Sequence, residues 1–222
     1  MQIVSSDSSD KIVQYLTGAL ESHLSAGERV LWLVPGGSAI AVAAAVSQNL
    51  PSLDLSGLTV SLTDERYGER GHKDENWLQL QRSGFELPGA TLHRVLMGSS
   101  MLETTAAYAD FLRSALTHSD YKIGLFGMGA DGHTAGIKPG SPAVDTQGYA
   151  SSFAGSDFER ITMTPRAISL LDEAVIYATG REKFAQIDIL AHKDLPLSQQ
   201  PAQCLKTTKK LTIFTDYKEE NV

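Results

Sequence analysis

The chain contains a single cysteine among its 222 residues, so no disulfide bond can form within it. A lone cysteine, here Cys204, is typical of proteins that work in a reducing compartment. The sequence also has no apolar run near the roughly 20 residues that a helix needs to cross a bilayer. Its first residues, MQIVSSDSSDKIVQYL, lack the basic start and long apolar core of a secretory signal. Together these absences predict a cytoplasmic protein with no membrane partner.

Positive charge is scarce as well. The chain carries 19 Lys and Arg against 26 Asp and Glu, a formal net charge of −7. Because binding to a phosphate backbone needs a basic face, this balance predicts no nucleic-acid partner. A small anionic ligand is still compatible with it, since a few local cations and backbone amides can hold one. No Cys/His or carboxylate spacing matches a recognised metal site, so no metal cofactor is expected.

The hydrophobic pattern alternates between short buried strands and amphipathic helices. Strands are predicted at 29–34, 58–62, 91–95, 122–128, 159–165 (as an edge or crossover strand), 173–180 and 211–216. Helices are predicted at 12–24, 39–50 (stopped near Pro51), 77–82, 101–118 and 181–193, with a helical turn at 167–171. This alternation is typical of an α/β fold with a mostly parallel sheet covered by helices on both faces. Without repeats or an internal linker, we expect one domain, 1–222.

The stretch LVPGGSAI places Gly36, Gly37 and Ser38 between a strand and a helix. Backbone N–H groups at a helix start can bind an anion, because the helix dipole is positive there. The motif is neither a full dinucleotide-binding motif nor a Walker loop. It is therefore either an anion site or an ordinary turn in which Ser38 caps the helix.

The stretch LTDERYG places Asp64 and Arg66 directly after another apolar strand. These two residues form either a structural ion pair or part of a polar ligand site, in front of a long charged loop. Later in the chain, Arg160 in ERITMT and Lys183 in GREKF are either surface charges or ligands for phosphate. The arginine would supply a fork of donors and the lysine a point charge.

The stretch GLFGMGADGHTAGIKPG gives the strongest signal, because it holds Asp131 and His133 two residues apart at the end of a strand. In an extended segment these two side chains share a face. A carboxylate can then fix the tautomer of the imidazole and make it a better base. Alternatively, Asp131 caps the turn and His133 alone faces a ligand.

In this order the motifs resemble one family. The segments PGGSA, TDERYG, the His72…Asn76 element, GMGADGHTAG, RITMT and GREKF are similar to those of 6-phosphogluconolactonases. The wider group includes glucosamine-6-phosphate deaminases and sugar binders similar to ribose-phosphate isomerase. The match covers residues 34 to 183, with a weaker one in PAQCL, and GMGADGHTA is its most specific part.

The resemblance implies a Rossmann-like fold and hydrolysis of 6-phospho-D-glucono-1,5-lactone to 6-phospho-D-gluconate in the pentose phosphate pathway, without metal or cofactor. It implies that His133 is the catalytic base and Asp131 its neighbour in the site. Gly36, Gly37, Ser38, Arg160 and Lys183 would hold the phosphate of this small-molecule substrate. Asp64 and Arg66 would lie beside the sugar ring or the phosphate.

The chain departs from the family pattern at three positions. Where the family usually reads GHTASLFP, this sequence has GHTAGIKP, with Gly136 and Lys138. The related deaminases carry a glutamate at the position of Lys138, and its absence favours a lactonase. The usual Ser-Asn pair is Glu75-Asn76 here, which puts the role of Glu75 on the sugar side in question.

Two other classes of function stay open. One is another phosphosugar enzyme, a deaminase or an isomerase, which release of ammonia from glucosamine 6-phosphate would reveal. The other is a phosphosugar-binding module without catalysis. Such a module normally accompanies a DNA-binding segment, and the residues before Leu31 do not suggest one. The sequence gives no indication of the oligomeric state.

Overall fold

The computed structural model describes residues 1–50 and 53–218, and within them strands and helices alternate along the chain. The strands are β1 (Gln2–Ser5), β2 (Val30–Val34), β3 (Leu58–Leu62), β4 (Asp64–Arg66), β5 (Thr91–Leu92), β6 (Tyr121–Gly127), β7 (Ala150–Ala154), β8 (Glu159–Met163), β9 (Glu173–Tyr177) and β10 (Lys210–Thr215). The helices are α1 (Asp10–Ser25), α2 (Ile40–Gln48), α3 (Asn76–Arg82), α4 (Met101–His118), α5 (Pro165–Ile168) and α6 (Phe184–His192). Tight 3₁₀ turns at Gly37–Ala39 and Arg181–Lys183 lead into α2 and α6.

Seven of these strands form one sheet in the order β1-β10-β9-β6-β2-β3-β5, with every neighbouring pair parallel. All five residues of β2 are buried, so both faces of the sheet are covered at its centre. This arrangement confirms the α/β fold with a mostly parallel sheet and helices packed on it. Parallel strands need such covering, which explains why they read as near-continuous apolar runs.

A second sheet of three antiparallel strands, in the order β4-β8-β7, was not predicted. The segment 159–165 was expected at an edge or crossover, but β8 is the central strand of this small sheet. The residues after Leu62 were predicted to be loop, and they begin instead with β4. The sequence of β4 is Asp-Glu-Arg, so both faces of this strand carry charged side chains. Alternation of apolar and polar residues, which would indicate a strand, is therefore absent.

Most elements of the main sheet lie where the sequence predicted them. The strand at 58–62 is reproduced by β3, and α4 begins with a capping box in which Ser100 and Glu103 satisfy each other's backbone N–H groups. The short α5 starts at Pro165, two residues before the predicted turn, and β5 keeps only two of the five expected residues. Helix α2 ends at Gln48, and Pro51, the predicted stop, lies outside the described residues.

The strand order creates a switch point between β2 and β6. From β2 the chain proceeds to β3 and β5 on one side, and then returns to place β6, β9 and β10 on the other. Loops that leave the carboxyl ends of β2 and β6 therefore diverge in opposite directions and open a crevice between them. In open α/β sheets this crevice is where ligands bind.

Candidate active site

A cleft of about 320 Å³ lies at this carboxyl edge. It is built by the residues that follow β2, β6 and β9, together with β4, β8 and the turn before β8. Eight of the nine predicted site residues line it: Gly36, Gly37, Ser38, Asp64, Arg66, His133, Arg160 and Lys183. The ninth, Asp131, lies behind His133. The structure thus brings together residues from five separate segments of the sequence.

The loop after β6 holds the imidazole of His133 by two contacts with Asp131. The Oδ1 atom of Asp131 accepts a hydrogen bond from the backbone N–H of His133 at 3.1 Å and lies 2.5 Å from its Nδ1. Because an ionised carboxylate only accepts, Nδ1 carries the proton and donates. The Nε2 atom is then left as an acceptor on the remaining side of the ring. Asp131 therefore fills both roles that the sequence left open, as turn cap and as partner of the imidazole.

Gly129 makes this loop possible by its lack of a side chain. A Cβ at position 129 would lie 2.2 Å from Nδ1 of His133 and 2.7 Å from Oδ1 of Asp131. The backbone N–H of Gly129 also donates to the carbonyl of His133 at 3.0 Å, which closes the loop. The close approach of backbone and imidazole is therefore specific to glycine at this position.

The charge balance around Asp131 favours its ionised form. Burial alone would raise the pKa of this carboxyl, but attraction to His133, hydrogen bonds from it and the nearby Lys138 outweigh burial and lower the pKa. The Nζ atom of Lys138 lies 3.6 Å from Oδ2 of Asp131. A carboxylate that stays ionised can hold the Nδ1 proton over a wide pH range.

The turn after β2 is not a simple helix cap. The N-cap residues of the 3₁₀ turn and of α2 are Gly36 and Ala39, and neither makes a side-chain capping hydrogen bond, so Ser38 caps neither element. Gly36 packs directly against Asn76, since a Cβ on it would lie 2.3 Å from Oδ1 of Asn76. The turn thus presents to the cleft backbone N–H groups and a hydroxyl that makes no hydrogen bond with the described residues, the arrangement that suits an anion.

Strands β4 and β8 contribute one charged face to the cleft. Arg66 lies directly opposite Arg160 and Asp64 opposite Thr162, so the side chains of these four residues share a face. The guanidinium carbon of Arg66 lies 4.4 Å above the ring of Phe158. Among the described residues, no ion pair joins Asp64 to Arg66, so the expected alternative of a structural pair is not what the strand forms.

Asp64 is nearly completely buried at the base of the cleft. Burial raises its pKa, and the raising is opposed by Arg160, by a hydrogen bond from Thr63 and by the charges of His133 and Arg66. The net effect favours the protonated carboxyl more than in a solvated aspartate. Asp64 is therefore a candidate hydrogen-bond donor to a ligand that enters the cleft.

Arg160 and Lys183 both supply positive charge to the cleft. Arg160 is mostly buried, and its Nη2 donates to Oδ2 of Asp157 at 2.6 Å, while its buried Nε has no partner in the structure. Lys183 ends the 3₁₀ turn after β9. Within the described part of the chain, no carboxylate lies in ion-pair distance of its ammonium group. Both cations face the cleft, which is uncommon for simple surface charges.

The residues that line the cleft without having been predicted as site residues include Asn76, Lys138 and Phe158. The amide of Asn76 donates from Nδ2 to the carbonyl of Asp64 at 3.1 Å, and its buried Oδ1 has no partner. The His72…Asn76 element was the signal for Asn76. For Phe158 the sequence carried no signal.

Glu75, in contrast, faces away from the cleft. Its buried carboxylate accepts two hydrogen bonds from Arg94, Nε to Oε1 at 2.6 Å and Nη2 to Oε2 at 2.5 Å, and a third from the backbone of Gly71 at 2.7 Å. Glu75 therefore holds the charged loop and does not line the cleft. A bidentate arginine pair of this kind is among the stronger ionic contacts in proteins.

In residues 1–50 and 53–218, no group of three or more His, Cys, Asp or Glu side chains is arranged to hold a metal ion. Over the same residues, no helix has both the length and the apolar character that spanning a bilayer requires.

Comparison with known proteins finds one family. The family model described as glucosamine-6-phosphate isomerases/6-phosphogluconolactonase matches residues 5–214. A 6-phosphogluconolactonase of Pseudomonas aeruginosa is 35% identical over 185 residues, covering 78% of this chain and 76% of the relative. One of Neisseria meningitidis is 28% identical over 214 residues, covering 88% and 90%.

Solved structures share the fold. A 6-phosphogluconolactonase of Shewanella baltica has a TM-score of 0.82 at 20% identity, covering 97% of both chains. A monomeric glucosamine-6-phosphate deaminase has a TM-score of 0.81 at 14% identity, again covering 97% of both chains. At these identities the structures establish the architecture alone, because lactonase and deaminase fit it equally well.

Proposed function

Because the chain belongs to the family of glucosamine-6-phosphate isomerases and 6-phosphogluconolactonases, we propose that it hydrolyses 6-phospho-D-glucono-1,5-lactone to 6-phospho-D-gluconate in the pentose phosphate pathway. The observation that carries this proposal is the shared cleft. An imidazole oriented by a carboxylate, His133 with Asp131, opens onto the same space as the cations Arg66, Arg160 and Lys183. Hydrolysis of a phosphorylated ester needs a base near the carbonyl and cations near the phosphate.

The cationic end binds the phosphate. The hydroxyl of Ser38 and the backbone of Gly36 and Gly37 offer donors from one wall, while Arg160 and Lys183 offer charge from two others. The orphaned Nε of Arg160 gains an acceptor when the phosphate arrives. Binding a group remote from the reacting carbonyl fixes the ester in place, so that water and base meet it without further loss of freedom.

The sugar ring lies between the two ends. Asp64 and Asn76 are buried at the base of the cleft, and the free Oδ1 of Asn76 accepts a hydrogen bond from a ring hydroxyl. Asp64, whose burial favours the protonated form, either donates to the ring or accepts from it. Arg66 reaches from the same strand toward the phosphate, held by its stacking on Phe158.

The chemical step uses water and one base. Nε2 of His133 takes a proton from a water molecule as the water oxygen attacks the lactone carbonyl carbon. The tetrahedral intermediate then collapses, the bond between this carbon and the ring oxygen breaks, and the ring oxygen receives the proton from the imidazolium. The products are a carboxylate, a hydroxyl and one released proton, so the reaction balances without a metal or cofactor. Asp131 holds the tautomer throughout.

Lys138 favours the lactonase over the deaminase within the family. The deaminase reaction opens a sugar ring with an acid near the histidine, and the position that would carry it presents an ammonium group here. The charge at this position is therefore of the wrong sign for that reaction. The lactone ester group is neutral and becomes a carboxylate on hydrolysis, so it is compatible with a cation nearby.

Two broader predictions accompany this function. The single hydrophobic core, which extends from Ile12 to Phe214, supports one domain. The substrate is a small phosphosugar of central metabolism, which supports the cytoplasm as the compartment. Neither nucleic acid nor membrane has a place in this account.

A timed assay of freshly prepared 6-phosphogluconolactone, corrected for spontaneous opening, tests the proposal. We expect rapid enzyme-dependent formation of 6-phosphogluconate, and we expect His133→Ala to lower kcat about 10²–10⁴-fold with an unchanged thermal melt, because a positioned general base contributes this much. His118→Ala, which removes an exposed histidine at the end of α4, is the matched control and should retain full activity.

Other outcomes would redirect the assignment. Release of ammonia from glucosamine 6-phosphate, with no lactone turnover, would identify a deaminase. Binding of phosphosugars without turnover of either substrate would identify a binding module. A wild-type kcat in His133→Ala would remove His133 from the role of base.

A further inference from the structure

Among the residues that the structure describes, Lys138 is the charged group of the cleft that contacts the pair of Asp131 and His133 without belonging to it. Its Nζ lies 3.6 Å from Oδ2 of Asp131 and 3.4 Å from Nδ1 of His133. Since Nδ1 already donates its proton to Asp131, it has no lone pair to offer the ammonium group. The contact between Lys138 and the imidazole is therefore one of charge, and the only bond that Lys138 can make in this pair is to the carboxylate.

The backbone between the two residues is shaped to produce this contact. Ala135 adopts a left-handed conformation with φ of +48°, which costs a residue with a side chain about 1 kcal/mol. The turn is closed by hydrogen bonds from the backbone of Ile137 to Thr134 at 2.9 Å, and from the hydroxyl of Thr134 to Gly127 at 2.9 Å. Strain of this kind is retained at positions where the surrounding structure requires it. Here the turn at Ala135 brings the side chain of Lys138 close to the imidazole of His133, five residues earlier in the chain.

The lack of a side chain at Gly136 lets the turn pack closely against the second sheet. Its backbone N–H donates to the hydroxyl of Thr162 at 3.0 Å, and a Cβ on it would lie 2.8 Å from Cβ of Thr162. The two departures from the family pattern, at 136 and 138, are thus parts of one local arrangement. One brings the turn close, and the other places a cation at its end.

The groups that face His133 have opposing charges. Asp131 and Lys138 come from its own loop, and Asp64 comes from β4. The other charged groups that line the cleft are Arg66, Asp157, Arg160 and Lys183. Of all these, only Asp131 and Lys138 have side-chain atoms within 4 Å of Nδ1 among the described contacts.

We infer that Lys138 is a positioning residue that shares the Asp131 carboxylate with His133 and opposes protonation of the imidazole, so that the base works at lower pH than the Asp131–His133 pair alone would allow. The inference rests on the proposed function for its kinetic consequence. Physically, a carboxylate beside an imidazole favours the imidazolium, and an ammonium group on the same carboxylate offsets that preference. Lys138 also lies within ion-pair distance of the second carboxylate oxygen, at 3.6 Å.

The test compares charge-changing variants by two readouts. The first is NMR titration of the His133 ring protons, assigned by their loss in His133→Gln. The second is the acidic limb of the pH profile of kcat/KM for the phosphorylated lactone. In Lys138→Met we expect the midpoint of the NMR titration and the acidic limb of the pH profile to move up by about 0.5 to 1 pH unit at low ionic strength. In high salt we expect both to approach their wild-type values. In Asp131→Asn we expect both to move down.

Controls separate charge from structure. Lys138→Arg should restore the wild-type titration, and Lys209→Met, which removes an exposed ammonium that pairs with Asp172, should leave it unchanged. If Lys138→Met does not fold, Lys138→Gln repeats the test with a polar end group. A titration and a limb that stay at the wild-type pH in the folded variant would overturn the inference, even if kcat falls. The titration needs no turnover, so it decides the inference even if the chain hydrolyses no lactone.

Discussion

At the scale of single residues, the site depends on which side chains are missing as much as on which are present. Gly129 leaves the space that the imidazole of His133 occupies, and Gly36 leaves the space that Asn76 occupies. A residue with a Cβ at either position would displace a polar group that lines the cleft. The order of motifs in the sequence therefore carries geometric information, because small residues and functional residues come in matched pairs.

Lys183 offers the clearest single-residue prediction for binding. Lys183→Ala removes a cation that faces the cleft without a carboxylate partner in the described residues. If the phosphate contact is equally strong in ground and transition states, KM should rise about 10- to 100-fold with kcat nearly unchanged. Steady-state kinetics measure both values, with Lys209→Ala as a control for loss of an exposed lysine. A wild-type KM would show that Lys183 does not hold the phosphate.

Individual residues show how much of the site could be predicted from the sequence. The spacing of Asp131 and His133 indicated a contact but left a turn cap as the alternative, and the structure shows that Asp131 makes both interactions. Lys138 was noticed only as a departure, since its approach to His133 depends on the left-handed Ala135, which no sequence pattern marks. The removal of Glu75 from the site depends on Arg94, nineteen residues away, and a pairing at that distance is set by the fold.

At the scale of elements, the short helix α3 is held by a buried acid on a neighbouring strand. The carboxylate of Glu65 on β4 accepts from the backbone N–H of Asn76 at 2.6 Å, of Trp77 at 3.0 Å and of Arg66 at 2.8 Å. These bonds satisfy donors at the start of α3 that have no partner inside the helix. By fixing α3 to β4, Glu65 also fixes Asn76 at the base of the cleft.

The burial of Glu65 predicts a dependence of stability on pH. Burial raises the pKa of Glu65 from the ordinary 4.5 to about 8, against the three backbone donors that lower it. Between about pH 4.5 and 8 the folded chain keeps a proton that the unfolded chain has released, so the free energy of unfolding falls as pH rises, by at most about 1.4 kcal/mol per pH unit.

Glu65→Gln tests this dependence. The variant has no titrating group at position 65, so the difference in unfolding free energy between wild type and variant should shrink as pH rises through this window. Urea unfolding at several pH values measures the difference, in which other titrating groups largely cancel. A difference that stays constant from pH 5 to pH 8 would contradict the assignment.

Substitution of glycine by alanine should have opposite effects on stability at positions 136 and 18. Gly136→Ala places a Cβ 2.8 Å from Thr162 and 3.2 Å from Asp64, both at their rigid Cβ atoms, and should cost about 1–3 kcal/mol. Gly18→Ala, on the exposed side of α1 with no atom within 4 Å, should stabilise by about 0.5–1 kcal/mol. Thermal or urea unfolding measures both. A neutral Gly136→Ala would mean that the turn shifts freely.

Of the strands that the sequence missed, which are β1, β4 and β7, the first two share one physical cause. Strand β4 consists of Asp, Glu and Arg, and its inward residue is a carboxylate that caps α3 instead of an apolar side chain. Strand β1, with two intermediate residues between two exposed ones, pairs only at the edge of the main sheet. Hydrophobic periodicity detects a strand by burial of apolar side chains, so it found β3 and β9 and could not find these two.

At the scale of the whole molecule, the cleft lies where two sheets meet. The parallel sheet supplies loops from β2, β6 and β9 at its switch point, and the antiparallel sheet supplies the face that carries Asp64, Arg66 and Arg160. The base thus comes from one sheet and much of the charge from the other. A ligand that contacts both sheets should therefore hold them in one position relative to each other, as is usual for a substrate that is bound at both of its ends.

The most direct test of this account is the ratio of kcat/KM for 6-phospho-D-glucono-1,5-lactone to that for D-glucono-1,5-lactone, measured with the wild-type chain and corrected for spontaneous opening. If Arg160 and Lys183 hold the phosphate while His133 acts on the carbonyl in the same cleft, the phosphorylated lactone should be preferred by about 10²-fold or more. Equal values for the two lactones would show that the phosphate takes no part in placing the ester, and would contradict the account.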